Sequence, residues 1–198
     1  MIQFKKDFRK ILPYDSAEYI GYLRDDTYTN LNWYGLAFQL AGDSEGKGIS
    51  LKKWVDRYEP LFKNIVLGLD NGSPWIVNHE GYDWKWLPNE EDNLKHLRDL
   101  FKQNSVPNAF KGALIFATED LLKFSEDLIS YPIAVFNDEG RFYRSLDISH
   151  GELQFIIKID GHFDIDLLST DADLLRDVAN ANRSDAFIIK QYRGTTLW

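Results

Sequence analysis

The chain has 198 residues, no cysteine and a formal net charge of −8, with 31 acidic against 23 basic residues. This length suffices for one substantial hydrophobic core, and the absence of cysteine excludes disulfides and thiolate metal sites. The acidic balance argues against non-specific binding to nucleic acid or to an anionic membrane, and it suits a basic partner. No segment is long and apolar enough for a membrane span, and the basic segment 1–14 lacks the continuous apolar stretch of a signal peptide. We therefore expect a cytoplasmic protein.

Five segments carry the apolar spacing that predicts a helix, and each follows a residue suited to capping. The predicted helices cover 17–23, 51–58, 90–103, 119–129 and 171–179. Their predicted caps are Asp15 or Ser16, Ser50, Asn89, Thr118, and Ser169 or Thr170. Pro60 is expected to end the second helix, because proline removes a helical hydrogen bond. The apolar segment 31–41 suits a buried helix or a strand, since its periodicity does not decide between them.

Strands are predicted between these helices, where β-branched and aromatic residues are concentrated. They cover 65–69, 75–79, 82–86, 113–117, 132–136, 141–148, 153–159, 163–167 and 186–192. The order mixes meanders with crossovers, which is typical of an α+β domain with a mainly antiparallel sheet of hairpins and four to five helices packed on it. We predict one domain over 1–198, and two subdomains would separate at 88–89.

The segment 151–169 has the clearest hairpin pattern, because apolar and polar residues alternate on both sides of Asp160-Gly161. A two-residue turn would mix apolar and acidic side chains on one face. We therefore predict a three-residue loop, 159–161, closed by Gly161 at positive φ. The predicted pairs are Ile157 with Phe163, Phe155 with Ile165 and Leu153 with Leu167. The face expected in solvent carries Gln154, Ile156, Lys158, His162, Asp164 and Asp166.

Acidic residues are concentrated around this hairpin, with seven acids and one base between residues 145 and 173. Such a patch would steer a basic protein partner to the surface. The predicted partner-binding residues are Asp147, Glu152, Asp160, His162, Asp164 and Asp166. The alternative is a solvated sheet edge, on which aspartates serve a helix N-terminus and discourage aggregation.

A second candidate is catalytic, because Asp164 and Asp166 lie two residues apart on one strand face and could share a divalent cation. His162 projects to the same face. The string from Gly151 to the Asp164-Ile165-Asp166 strand resembles the polymerase-β-type nucleotidyltransferase signature, although Glu152 replaces its serine. That resemblance implies a metal-dependent phosphoryl- or nucleotidyl-transfer enzyme with Asp164 and Asp166 as metal ligands.

A third candidate is an aromatic ligand face, because Tyr82, Trp84 and Trp86 share one face of a predicted strand and Trp75 lies on the preceding strand. An exposed row of this kind could stack on sugar rings. The alternative is core packing, since large aromatic residues are mostly buried.

The leading hypothesis from sequence is a non-enzymatic protein that binds a basic protein partner through an acidic surface and needs no cofactor. Bacterial immunity and antitoxin proteins that neutralise basic toxins have the same physical profile. The metal-dependent transfer enzyme is the alternative hypothesis.

Overall fold

The computed structural model describes residues 2–24, 32–42, 50–80, 84–88, 94–135 and 145–198, which form an α+β fold. Eight strands form one sheet, and neighbouring strands are antiparallel throughout. The strands are β1 (Gln3–Lys5), β2 (Tyr34–Leu40), β3 (Trp75–His79), β4 (Ala113–Phe116), β5 (Leu146–His150), β6 (Phe155–Ile159), β7 (Ile165–Ser169) and β8 (Phe187–Gln191). The described α-helices are α1 (Ser16–Arg24), α2 (Leu51–Gly68), α3 (Lys95–Gln103), α4 (Thr118–Lys123), α5 (Ser125–Ala134) and α6 (Ala172–Ala181), where the sequence predicts four to five.

The strand order across the sheet is β1-β4-β3-β5-β6-β7-β2-β8. The strands β5, β6 and β7 form a meander in the middle, as the sequence predicts for antiparallel hairpins. Strand β2 lies between β7 and β8, so two strands from the end of the chain enclose one from its beginning. The segment 31–41, which sequence left undecided, contains this strand.

One face of the sheet is covered by helices α2 to α6, and we call it the inner face. Alternate strand residues such as Phe155, Ile157 and Leu167 are fully buried there against apolar helix residues. Helix α2 supplies the longest stripe, which consists of Trp54, Val55, Tyr58, Leu61, Phe62, Ile65 and Val66. Its N-terminus is capped by Ser50, whose hydroxyl accepts from the Lys53 amide. The hydrophobic core is therefore built mainly on this side of the sheet.

The prediction that Pro60 ends a helix is wrong, and so are the strands predicted at 65–69 and 132–136. Helix α2 continues through Pro60 to Gly68, so the predicted strand 65–69 is helical. Helix α5 contains Pro132, so the predicted strand 132–136 is largely helical as well. A proline inside a helix costs about 3 kcal/mol, but each large apolar side chain buried beyond it contributes about 1.5–3 kcal/mol. The continuing apolar stripe therefore outweighs the lost hydrogen bond.

Several other predicted elements can be compared directly with the structure. Strands at 75–79, 113–116 and 187–191 are confirmed, and α1 begins where Asp15 accepts from the backbone of the first turn. The predicted helix 119–129 is interrupted at Phe124, and residues 84–88 contain no strand. Asn89, residues 90–93, Tyr82 and residues 141–144 lie outside the described part of the chain.

The central hairpin has the predicted faces but a different register. Ile157 lies opposite Leu167 and Ile159 opposite Ile165, so the loop spans 160–164 and the three-residue turn is wrong. Phe163, instead of Gly161, has the positive φ, at 69°. The register differs from the predicted one by an even number of residues, so every side chain keeps its face.

The opposite face of the sheet, which we call the outer face, is covered in part by the N-terminal segment 8–24. Tyr14 and Tyr19 pack edge-on to each other and against Trp33, over Ile156 and Leu168 of the sheet. Phe8 packs nearby over Ile76 and Ala113. The described helices include none with the length and apolarity needed to cross a membrane.

Candidate functional site

The outer face carries a line of polar side chains across four neighbouring strands. Asn78 of β3 lies opposite Asp147 of β5, Asp147 opposite Lys158 of β6, and Lys158 opposite Asp166 of β7. Directly opposite residues of antiparallel strands have Cβ atoms about 4.5–5.5 Å apart, so their side chains interact. We call these four residues the polar row.

The polar row is buried, although it contains three ionisable groups. Its members have relative exposures of 4% for Asn78, 1% for Asp147, 8% for Lys158 and 5% for Asp166. Lys158 Nζ lies 3.1 Å from Glu80 Oε2 and 3.7 Å from Asp160 Oδ2, at the end of the strands. Buried charges are stable only when they are paired or neutralised. The free-energy cost of burying the polar row therefore depends on which of its groups are protonated.

Four carboxylates, those of Glu80, Asp147, Asp160 and Asp166, act on Lys158. Burial alone would lower the pKa of Lys158, but the carboxylates raise it above its ordinary value, so the lysine stays charged. Burial, and then repulsion from Glu80, raises the pKa of Asp147 to about 8. Burial likewise raises the pKa of Asp166 to about 7. At neutral pH, one lysine thus faces an excess of carboxyl groups, some of which hold protons.

Tyrosine side chains cover the polar row from outside. Tyr19 of α1 donates from its hydroxyl to Asp147 Oδ1 at 3.0 Å. Tyr192, beyond β8, donates to Asp166 Oδ2 at 2.6 Å. The ring of Tyr192 lies so close to Gly35 that a Cβ there would be 2.7 Å from Tyr192 Cδ2, so only glycine fits. The sheet and two distant parts of the chain therefore meet at these carboxyl groups.

A cavity of about 400 Å³ opens beside the row, between the N-terminal segment and the sheet. Its polar lining includes Asn78 and Asp147, its aromatic lining Phe8, Tyr14 and Tyr19, and Arg9 also borders it. This volume lies within the range of sites that bind small molecules. Tyr14 is held in place because its hydroxyl pairs with Ser149 Oγ at 2.7 Å.

Asn78 has an unsatisfied acceptor in this lining. Its Nδ2 donates to the His79 carbonyl at 3.0 Å, but its buried Oδ1 has no hydrogen-bond partner in the described protein. A buried acceptor without a donor costs about 1–3 kcal/mol, and such groups in native proteins call for an explanation. A ligand that donates to Asn78 Oδ1 would remove this cost.

The structure divides the predicted partner-binding residues into three places. The expectation that Asp164 and Asp166 both face solvent is wrong for Asp166, which is buried under Tyr192. Asp147, also in the predicted set, is buried under Tyr19. Neither carboxylate can form part of an exposed acidic surface.

The remaining members of that set lie at the two ends of the hairpin. Asp160, His162 and Asp164 are in the loop 160–164, where His162 is exposed and its amide donates to Asp160 Oδ1 at 2.8 Å. Burial, and then repulsion from Asp160, raises the pKa of half-buried Asp164 to about 6. Glu152 lies at the opposite end, where it accepts from Asn71 at 3.2 Å.

The predicted metal site gains no support from the geometry. Asp166 is engaged with Tyr192 in the polar row, whereas Asp164 lies before β7 in the loop. Within the described ranges, no group of three or more acidic or histidine side chains could hold a metal ion. The resemblance to nucleotidyltransferases therefore remains one of sequence.

The predicted aromatic ligand face is wrong for two of its members. Trp75 and Trp86 are fully buried in the core, where their indole N–H groups donate to Thr118 Oγ1 and to the Gly112 carbonyl. Trp84 is half-buried beside His79, and Tyr82 lies outside the described residues. The alternative of core packing is thus confirmed for Trp75 and Trp86.

Sequence reasoning missed Asn78, Glu80 and the tyrosines Tyr14, Tyr19 and Tyr192. One local signal was available, because Asn78 directly follows the apolar residues 75–77 within a strand that is buried throughout. A polar side chain inside a buried strand indicates either a hydrogen-bond network or a site. The tyrosines carry no comparable signal, since they reach the row only through the tertiary fold.

Comparisons with protein-family models, with curated proteins and with solved structures find no match to this chain.

Proposed function

We propose that this protein is a non-enzymatic binding protein for a basic partner, and that a cationic group of the partner enters the cavity beside Asp147. The observation that carries the proposal is the unpaired acceptor of Asn78 next to a buried carboxyl group in an open cavity. The Asn78 acceptor calls for a donor, and the excess of carboxyl groups around Lys158 favours a positively charged one.

Long-range electrostatics support the same proposal. The net charge of −8 would attract a basic partner and accelerate its association, in a manner that salt weakens. The loop 160–164 adds two partly buried acidic groups, Asp160 and Asp164, at one end of the row. A protein that neutralises a basic toxin, as acidic immunity proteins do, would have these properties, and we include that role in the proposal.

The test uses a fluorescently labelled basic peptide that contains lysine and arginine, with an acidic peptide of equal length as a negative control. We expect the basic peptide to bind and Asp147→Asn to weaken its binding by about tenfold, which corresponds to about 1.4 kcal/mol. Fluorescence anisotropy at low and high salt measures both quantities. Asn keeps the shape of the side chain and can still accept from Tyr19, so the fold is retained.

Asp56→Asn is the matched control, because it makes the same side-chain substitution on an exposed residue of α2, on the inner side of the sheet. This variant should bind the basic peptide as the unaltered protein does. Equal weakening by both variants would mean that net charge, and not the cavity, determines binding. Failure of the basic peptide to bind at all would also overturn the proposal.

A further inference from the structure

We infer that the group bound in the cavity is a guanidinium, held between Asn78 and Asp147 and stacked on the tyrosines beside them. This inference rests on the proposed function and names the chemistry of the same site. A guanidinium on an arginine side chain and one on a small molecule share this chemistry.

The residues that would bind the ligand are neighbours on the sheet. Asn78 and Asp147 are direct cross-strand partners, so their side chains lie side by side. Tyr19 occupies Oδ1 of Asp147, and Asn78 Oδ1 has no donor among the described residues. The five N–H donors of a guanidinium lie in one plane and reach two neighbouring acceptors at once. An ammonium group is a compact point charge without this planar geometry.

The wall of the cavity is largely aromatic. The rings of Phe8, Tyr14 and Tyr19 line it, and a planar cation is attracted to the face of an aromatic ring. A guanidinium also loses less hydration free energy on burial than an ammonium group does. An existing contact shows this chemistry at the rim, where the Arg9 guanidinium carbon lies 5.9 Å from the centroid of the Phe8 ring.

The protonation state of Asp147 also bears on ligand binding. The ionisable groups that act on Asp147 come from every element around it, namely Glu80, Lys158, Tyr19 and Asp160, with Tyr14 and Arg9 also lining the cavity. Because the pKa of Asp147 is raised to about 8, its carboxyl group carries a proton at neutral pH. When a guanidinium binds, the Asp147 O–H bond breaks, the carboxylate pairs with the cation, and the proton leaves to the buffer. Affinity should therefore increase as pH rises from 6 to about 8 and then level off.

The probes are three acetylated amino acid amides that differ in the terminal group of the side chain. The arginine derivative carries a guanidinium, the lysine derivative an ammonium, and the citrulline derivative a neutral urea of the same shape as arginine. Isothermal titration calorimetry in buffers of different ionisation enthalpy measures the affinity and the released protons together. We expect the arginine derivative to bind about tenfold more tightly than the lysine derivative, with release of a proton, and the citrulline derivative not to bind.

Two variants test the residues that this inference assigns. Asn78→Leu removes one acceptor and should abolish the preference for arginine over lysine, whereas Asp56→Asn should leave it unchanged. Arg9→Ala removes a positive charge from the rim and should strengthen binding of the arginine derivative by about threefold. Weaker binding after Arg9→Ala would mean that the cavity takes an anion, which overturns the inference.

The outcomes separate the inference from the proposed function. If the arginine and lysine derivatives bind equally well, the inference of a guanidinium ligand is wrong, whereas the proposal of a basic partner stands. If citrulline binds as well as arginine, or if no probe and no basic peptide binds, both are wrong. A peptide that carries arginine between glycines distinguishes an arginine side chain from a small-molecule guanidinium. If this peptide binds more tightly than the acetylated arginine amide, the site takes a protein side chain. If the two bind equally well, the site takes a small molecule.

Discussion

The two faces of the sheet are buried to a similar degree but by different means. Five helices cover the inner face, where side chains such as Phe155 and Trp75 fill a continuous apolar core. The outer face is covered by the shorter segment 8–24 and by Tyr192, and it contains the polar row and a cavity. The inner face thus contributes mainly to the stability of the fold, whereas the burial of the polar row on the outer face costs free energy of folding.

The two faces differ in the ionisable groups that they bury. The inner side also contains buried polar atoms without a hydrogen-bond partner among the described residues, namely Trp54 Nε1 and His150 Nε2, but its His79 pairs with Tyr131 at 2.8 Å and stays neutral because burial lowers its pKa to about 3. On the outer face, Asp147 is held partly protonated and Asn78 lacks a donor. Native proteins retain such unfavourable arrangements mainly at sites that bind or react.

The largest expected effect comes from a pair of neighbouring residues on β7. Leu167 faces inward and Leu168 outward, and both are fully buried. We expect Leu167→Ala to cost about 4–5 kcal/mol and Leu168→Ala about 2–3 kcal/mol, because the thinner outer layer can relax around the removed atoms. Urea denaturation measures both changes in the free energy of unfolding, with the slopes of free energy against urea concentration compared between the two variants. Equal costs would show that the two faces are packed alike.

The second prediction concerns pH and Asp147. Its pKa is raised from 3.8 to about 8, so the folded protein retains a proton that the unfolded chain releases above pH 4. Asp147 therefore makes the free energy of unfolding fall as pH rises from about 4 to about 8. Asp147→Asn should stabilise the protein on the order of a few kcal/mol at pH 8 and have no effect near pH 4. Denaturation at several pH values checks this, with Asp56→Asn as a control that should show no such gain.

A third, smaller effect is expected at Gly35. An added methyl group would collide with the Tyr192 ring, at 2.7 Å from Cδ2, and would displace the hydroxyl that donates to Asp166. We expect Gly35→Ala to cost about 1–3 kcal/mol. Gly68→Ala, at the end of α2, has nothing within 4 Å of the added atom and should cost nothing. The two melting temperatures give the comparison, and a tolerated Gly35→Ala would show that Tyr192 is not held over the row.

The smallest effect is a gain on the outer face. Gly21 lies inside α1, and no atom is within 4 Å of an added Cβ. Gly21→Ala should stabilise the protein by about 0.5–1 kcal/mol, because glycine is a poor helix former. Thermal unfolding measures the gain. A loss of stability would mean that the cover over the outer face requires a glycine at this position.

Local patterns predicted much of the fold, since they depend on neighbouring residues. The alternation around Phe155 and Leu167 gave the correct faces of the central hairpin, and Ser50 gave the correct start of α2. Pro60 misled the prediction because tertiary burial, which a local rule does not include, decides whether a helix continues. The register of the hairpin failed for a similar reason, since loops of different length satisfy the same alternation.

The candidate site was less accessible to sequence reasoning. Its acidic members were recognised, but they were placed in solvent because nothing local shows that Tyr19 and Tyr192 cover them. Asn78 and Asp147 become neighbours only through the pairing of β3 with β5, two strands that are far apart in the chain. A site assembled by long-range strand pairing has no sequence motif of its own.

The position of β2 between β7 and β8 also determines when the cover over Asp166 can form. During synthesis, β2 leaves the ribosome long before either of its partner strands. Its backbone hydrogen-bonding groups therefore stay without their strand partners until residues 165–191 have been synthesised. Such non-local pairing slows folding and exposes strand edges in the meantime. Nascent chains would therefore acquire the Tyr192 cover over Asp166 after the residues that line the cavity, all of which precede residue 150, have been synthesised.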